Sequence, residues 1–156
     1  MFRNVKSLAL LVSLSLVFFG CVKNKTCVPK TVASETATMQ AFATANGMTT
    51  QTHSSGMLYQ IVSMGNGPVA SLSSTVSVRY TGKLMNGTIF DSQTSTPATF
   101  GLSQVIKGWQ LGVPLIQKGG TIRIIVPSSL AYGCSAMGQI PADAVLYFEI
   151  QLVDVQ

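Results

Sequence analysis

RYTGKLMNGTIFDS, residues 79–92, decides how the rest of the chain is read. Two strand-like runs flank Asn86-Gly87. Asn-Gly in that setting is the strongest short-range signal for a two-residue type I′ hairpin, because both turn positions need positive φ. Such a turn sets a register in which Met85 faces Thr88, Leu84 faces Ile89, Lys83 faces Phe90 and Gly82 faces Asp91. Side chains alternate along a strand, so Tyr80, Gly82 and Leu84 share a face with Ile89 and Asp91. Tyr80 is then diagonal to Asp91, a separation that long side chains bridge. Gly82 leaves room opposite the carboxylate. A hydrogen bond from the Tyr80 hydroxyl to Asp91 is expected. Strict alternation sends Phe90 to the opposite face.

The pattern around this hairpin is mostly one of strands. MLYQIVS (57–63), TVSVRYTGKLM (75–85), TIRIIVP (121–127) and AVLYFEIQLVDV (144–155) read as strands, the last with Leu146, Phe148, Ile150 and Leu152 on one face. Residues 103–118 lack a period of two. They suggest a short helix starting near Val105, with Trp109 one turn on and Gly112-Val113-Pro114 closing it. The fold class is therefore α+β, about five antiparallel strands around one short helix. Upstream, residues 34–45 form an amphipathic helix with Met39, Phe42 and Ala43 on one stripe, Ser34 as N-cap and Asn46-Gly47 as stop. It could pack on the domain or pair with another chain.

Four segments divide the chain: 1–20 a signal peptide, 21–33 a polar spacer, 34–55 the helix and a linker, and 56–156 the main domain. A basic start with Arg3 and Lys6 precedes an apolar run, Leu8 to Phe19, that is too short to span a membrane and suits a leader. Gly20-Cys21 after that run resembles a bacterial lipobox, in which the cysteine carries the lipid and anchors the protein in the cell envelope. Phe18 and Phe19 depart from that motif, and plain cleavage or an uncleaved anchor are the alternatives. Taking Cys21 out leaves Cys27 and Cys134 as a pair in a disulfide-permissive compartment, either bridged or as two thiols.

Several classes of chemistry fall away. Subtracting Arg3 and Lys6 from the formal charge of +5 leaves +3, without a basic patch for nucleic acid. The single histidine, His53, lies in a polar linker, so neither a triad nor a metal cluster can be assembled, and no metal or cofactor is expected. The five acids, Glu35, Asp91, Asp143, Glu149 and Asp154, are too scattered for a carboxylate pair. An enzyme built from this chain works without acid–base or nucleophilic groups.

What remains is the order of its aromatic residues. VRYTGKLMNGTIFDS, FGLSQVIKGWQLGV, RIIVPSSLAYG and IPADAVLYFEIQL occur in that order. Segment for segment they resemble the FKBP-type peptidyl-prolyl cis–trans isomerases, over about residues 56–156. The helix at 34–45 also resembles the N-terminal extension of envelope members of that family. The resemblance implies a proline-binding pocket floored by Trp109 and walled by Tyr80, Phe90, Phe100, Val105, Ile106, Ile140 and Phe148. It implies that Tyr132 supplies a hydroxyl at the rim, that the Ile106 N–H holds a substrate carbonyl, and that Asp91 is the one carboxylate of the pocket. It places Phe90 beside Asp91, which strict alternation does not, so the strand should bulge or bend near 90–91. The implied partners are proline-containing polypeptides and macrolide-type inhibitors, and the implied activity is isomerisation of Xaa-Pro bonds in exported proteins. A proline-binding adaptor or chaperone without turnover is the alternative.

Overall fold

A computed structural model of the chain describes residues 27–156; the leader and Cys21 lie outside the described residues. Helix α1 spans Val32–Ala45. The strands are β1 (Gln51–Thr52), β2 (Leu58–Ser63), β3 (Thr75–Leu84), β4 (Ile89–Gly101), β5 (Thr121–Val126) and β6 (Leu146–Val155), and a second helix, α2 (Lys107–Gly112), falls between β4 and β5. The strands form one antiparallel sheet in the order β1-β2-β5-β6-β3-β4.

Alternation assigns the two faces. Val76, Val78 and Tyr80 of β3, Ile122, Ile124 and Val126 of β5, and Leu146, Phe148, Ile150 and Leu152 of β6 are buried together around α2, with Trp109 among them. A Cβ on Gly108 would lie 2.5 Å from a Val126 methyl, so this glycine is what lets α2 settle directly on β5. On the opposite face Leu58, Ile125, Val145 and Tyr147 form a second, smaller core under Met39 and Ala43 of α1. The N-terminal helix thus packs on the domain. Its cap is Thr31, three residues before the expected Ser34: the Thr31 hydroxyl accepts from the Ser34 N–H at 3.3 Å, while the Ser34 hydroxyl donates back to the Thr31 carbonyl at 2.7 Å. Gly47, at φ +62°, follows the Asn46 cap.

The hairpin differs from the two-residue turn expected. Asn86 does not have positive φ; Asp143 is the only non-glycine among the described residues that does. The Gly87 N–H donates to Leu84 and the Leu84 N–H to Thr88, which makes Met85-Asn86-Gly87 a three-residue loop with Gly87 at φ +88°. Lys83 therefore pairs with Ile89 rather than with Phe90. One residue later Phe90 is left out of the ladder as a bulge, and Gly82 pairs with Asp91. The longer loop and the bulge each shift the register by one, in opposite senses, so they cancel from Asp91 onward.

Beyond Gln93, β4 continues to Gly101 through a run of Ser, Thr and Pro that does not look like a strand. Residues 94–97 face Arg79 alone, between the pairs Tyr80–Gln93 and Val78–Ala98, and the Arg79 Nε reaches across to the Ser95 carbonyl at 3.3 Å. Pro97 is tolerated because β4 is an edge strand. A disulfide joins Cys27 to Cys134, with Cα atoms 5.6 Å apart, and fastens the segment before α1 to the loop after β5.

Met39 is fully buried at the centre of the α1 contact. Met39→Ala should lower the free energy of unfolding by about 2–4 kcal/mol in a urea titration. A loss below about 0.5 kcal/mol would mean that α1 does not pack as described.

Candidate active site

The second expected consequence of the hairpin holds geometrically: the Tyr80 hydroxyl donates to Asp91 Oδ2 at 2.7 Å. Gly82 lies opposite Asp91, but its missing side chain makes room for rings rather than for the carboxylate. A Cβ there would be 2.7 Å from Phe90 and 2.9 Å from Phe148. The bulge turns Phe90 inward, against Phe148, with ring centres 5.6 Å apart and planes at 88°.

Trp109 is the centre of this arrangement. Three rings meet the indole edge-on: Tyr80 at 5.1 Å, Phe148 at 5.4 Å and Phe100 at 6.0 Å between centroids. Such T-shaped contacts set edge against face and are each stabilising by about 0.5–1.5 kcal/mol beyond area burial. Above them opens a cavity of about 300 Å³ lined by Tyr80, Phe90, Asp91, Phe100, Gln104, Val105, Ile106, Trp109, Tyr132 and Phe148. Its floor is buried, with Trp109, Phe148 and Tyr80 each less than a tenth exposed, while Phe90, Phe100, Val105, Ile106 and Tyr132 are half-buried at the walls and rim.

Ile140 is placed differently. It lines an adjoining groove with Phe90, Asp91, Tyr132 and Met137, not the cavity over Trp109. Its N–H and C=O pair with those of Met137, which closes the short 137–140 turn and draws it aside. Two glutamines were not singled out from sequence. Gln104 joins the lining, and Gln110 donates from its side-chain amide to the carbonyls of Val105, at 2.9 Å, and Ser103, at 3.2 Å. Gln110 thereby holds the Val105 wall against α2. Both lie inside SQVIKGWQ, but only the register of α2 reveals that Gln110 turns back on the segment before it.

Ile106 caps α2 in an extended conformation, and its carbonyl accepts from Trp109 and Gln110. Its own N–H precedes the helix and stays outside the helical ladder, at the cavity wall. Tyr132 stands across the opening, at the end of a 3₁₀ turn over Ser128–Leu130. Burial first, and then the bond to Asp91, push the Tyr80 hydroxyl well above the ordinary tyrosine range, so it remains a donor throughout the physiological range. Nothing in the cavity is arranged for proton transfer, and no cluster of metal-ligating side chains occurs among the described residues.

An antiparallel sheet curled over a short helix, with an aromatic box open at one end, forms a cavity of the size and polarity that suit a compact apolar group. Residues 67–153 match the model of the FKBP-type peptidyl-prolyl cis-trans isomerase family. The chain is 42% identical over 114 residues to a probable FKBP-type peptidyl-prolyl cis-trans isomerase of Haemophilus influenzae, covering 71% of this chain and 47% of that protein. It is 39% identical over 119 residues to FkpA of Escherichia coli, an FKBP-type peptidyl-prolyl cis-trans isomerase, covering 75% of this chain and 43% of that one. The crystal structure of Escherichia coli FkpA superposes with a TM-score of 0.72 at 37% identity, over 80% of this chain and 58% of that chain. A peptidyl-prolyl cis-trans isomerase from Pseudomonas syringae superposes at 0.68 with 29% identity, over 83% and 98%. The chain belongs to the FKBP-type peptidyl-prolyl cis-trans isomerase family. It spans about half the length of the two relatives compared by sequence.

Burial also raises Tyr147, to about 12, with Glu149 beside it adding to the effect. For both Tyr80 and Tyr147 the folded value lies above the unfolded one, so their contribution to stability is intact below about pH 10 and is lost as the pH rises beyond it. Urea midpoints should therefore fall between pH 9 and pH 11. The fall should be shallower in Tyr80→Phe, and equal slopes in the two proteins would contradict the assignment.

Proposed function

We propose that this chain is a peptidyl-prolyl cis–trans isomerase that accelerates rotation about Xaa-Pro bonds. The observation that carries the reading is the aromatic box around Trp109, a buried apolar floor with half-exposed walls and a volume of about 300 Å³. A proline ring is compact and apolar and brings no N–H that would need a partner there.

Rotation about an Xaa-Pro bond breaks amide resonance, against a barrier of about 18–20 kcal/mol. The twisted amide is less charge-separated than the planar one, so a wall of rings that strips water from it favours the transition state over the ground state. The free N–H of Ile106 holds the carbonyl of the bound peptide. The Tyr132 hydroxyl, across the rim, steadies the turned chain. Asp91, held by Tyr80, orients and does not exchange protons. A reduction of the barrier by about 4 kcal/mol accelerates the bond roughly a thousandfold, and the mechanism calls for no cofactor.

The clients we assign are exported polypeptides. Support comes from the disulfide between Cys27 and Cys134, a bond characteristic of oxidising compartments. Attachment to the envelope through a lipid on Cys21 belongs to the same proposal and rests on the leader-like residues before it. Lipid labelling of the expressed protein, lost in Cys21→Ser, tests that part alone.

The whole chain should accelerate isomerisation of a short Xaa-Pro peptide. Tyr132→Phe should lower kcat/KM by about tenfold with the fold intact by circular dichroism. Binding of the peptide without acceleration would make the domain a proline-recognition module, and absence of both would end the reading.

A further inference from the structure

The N-terminal helix carries a residue that packing alone does not explain. The buried stripe of α1 is Glu35, Met39 and Ala43, spaced one turn apart, and Glu35 is as buried as its apolar neighbours. Burying a carboxylate is costly. Among the described residues no cation lies within salt-bridge distance of it, and its Oε1 has no partner. An apolar side chain would suit the stripe better. What Glu35 does instead is accept, through Oε2, the backbone N–H of Ser128 at 2.9 Å.

Ser128 is the first residue of the 3₁₀ turn that leads to Tyr132, and its N–H is one of the donors that a helical start leaves unpaired. The residue before it is Pro127, which has no side-chain acceptor to cap it. Glu35 supplies the cap from 93 residues away. The carbonyl of the same residue faces the rim. The Ser128 carbonyl accepts from the N–H groups of Ala131, at 3.0 Å, and Gly133, at 2.8 Å, the two residues that flank Tyr132. One step further, Cys134 is bound to Cys27. The loop presenting Tyr132 is therefore held at both ends by the segment before and within α1.

We infer that Glu35 is a positioning residue for catalysis. By capping Ser128 it fixes the turn whose carbonyl clasps both sides of Tyr132, so the N-terminal helix completes the rim of the pocket. The inference rests on the reading of Tyr132 as the rim hydroxyl that meets substrate.

A double-mutant cycle on the whole chain separates positioning from stability. kcat/KM for a short Xaa-Pro peptide is measured for wild type, Glu35→Ala, Glu35→Gln, Tyr132→Phe and the Glu35→Ala/Tyr132→Phe pair. Glu35→Ala should slow turnover about fivefold, less than the full loss of a hydrogen bond to a charged group because only part of it is felt at the rim. Glu35→Gln should stay within about twofold of wild type, because its amide carbonyl still accepts from Ser128. In the Tyr132→Phe background Glu35→Ala should add less than about twofold, while its lowering of Tm persists. Wild-type turnover in Glu35→Ala, or the same fivefold loss with Tyr132 already removed, would overturn the inference. Wild-type speed in Tyr132→Phe itself would remove the reading beneath it. If Glu35→Ala does not fold, Glu35→Asp takes its place in the cycle, keeping the charge but falling short of Ser128.

Discussion

The short length of α2 is the constraint from which the site follows. Six strands spaced about 4.8 Å apart make a sheet roughly 24 Å wide. A helix of six residues is only about 9 Å long. It covers β5 and part of β6 and leaves the rest of the concave face without a layer. An uncovered apolar face must be closed by side chains or remain open, and here both occur. Large rings from β3, β4 and β6 converge on Trp109, and the space they do not fill is the cavity. Trp109 is at once a core residue of α2 and the floor of the site. Packing and recognition are one set of contacts at this point.

The convex face is solved by different means, and it is joined to the site. There α1 supplies the missing layer with Met39 and Ala43, and the Phe42 ring packs tilted against Tyr147 with centroids 5.3 Å apart. Toward its start the same stripe stops being hydrophobic and becomes a cap for a loop on the other side of the sheet edge. The extension is thus fastened to the domain by apolar contact along its length and by one buried hydrogen bond and one disulfide near its N-terminus. The polar fastening lies where the loop bearing Tyr132 begins and ends.

Local signals made much of this legible and long-range ones did not. The alternation in residues 75–85 and 144–155 carried the sheet, and the break in period after Gln104 carried α2, because burial on one face leaves a periodic trace. The pairing of Gly82 with Asp91 was read correctly from a turn that does not exist. A three-residue loop and a bulge at Phe90 compensate each other; the bulge follows from the family pattern that sets Phe90 beside Asp91, whereas nothing in the residues marks the longer loop. The far half of β4 was illegible because an edge strand tolerates Pro97 and a run of hydroxyl residues that elsewhere mark a loop. Thr31 was passed over for Ser34 because both are good caps, and only the chain's path decides between them. The role of Glu35 could not be read at all. Its partner is a backbone N–H, which every residue but proline carries and which leaves no trace in sequence.

On the proposed function, a pocket for proline faces a physical difficulty that this arrangement answers. It must be apolar enough to strip water from an amide, yet the protein must hold the peptide by polar groups without lending them protons. Several of the polar atoms around the cavity are accordingly fixed in pairs or belong to the backbone. Tyr80 spends its proton on Asp91, Gln110 spends its amide on Val105 and Ser103, and the Ile106 N–H is left out of α2 by the geometry of a helix start. What is left to meet a substrate includes the Tyr132 hydroxyl at the rim, the Ile106 N–H at the wall, the Gln104 amide and the unpartnered indole N–H of Trp109 in the floor. Adding a charged group beyond Asp91 to this set would favour the planar, charge-separated amide over the twisted one that the proposed isomerase stabilises. The scarcity of charged side chains around the box is thus part of how it works. It also fits the position of Glu35, the one fully buried carboxylate among the described residues, which lies on the far side of the sheet edge and reaches the Tyr132 loop only through backbone.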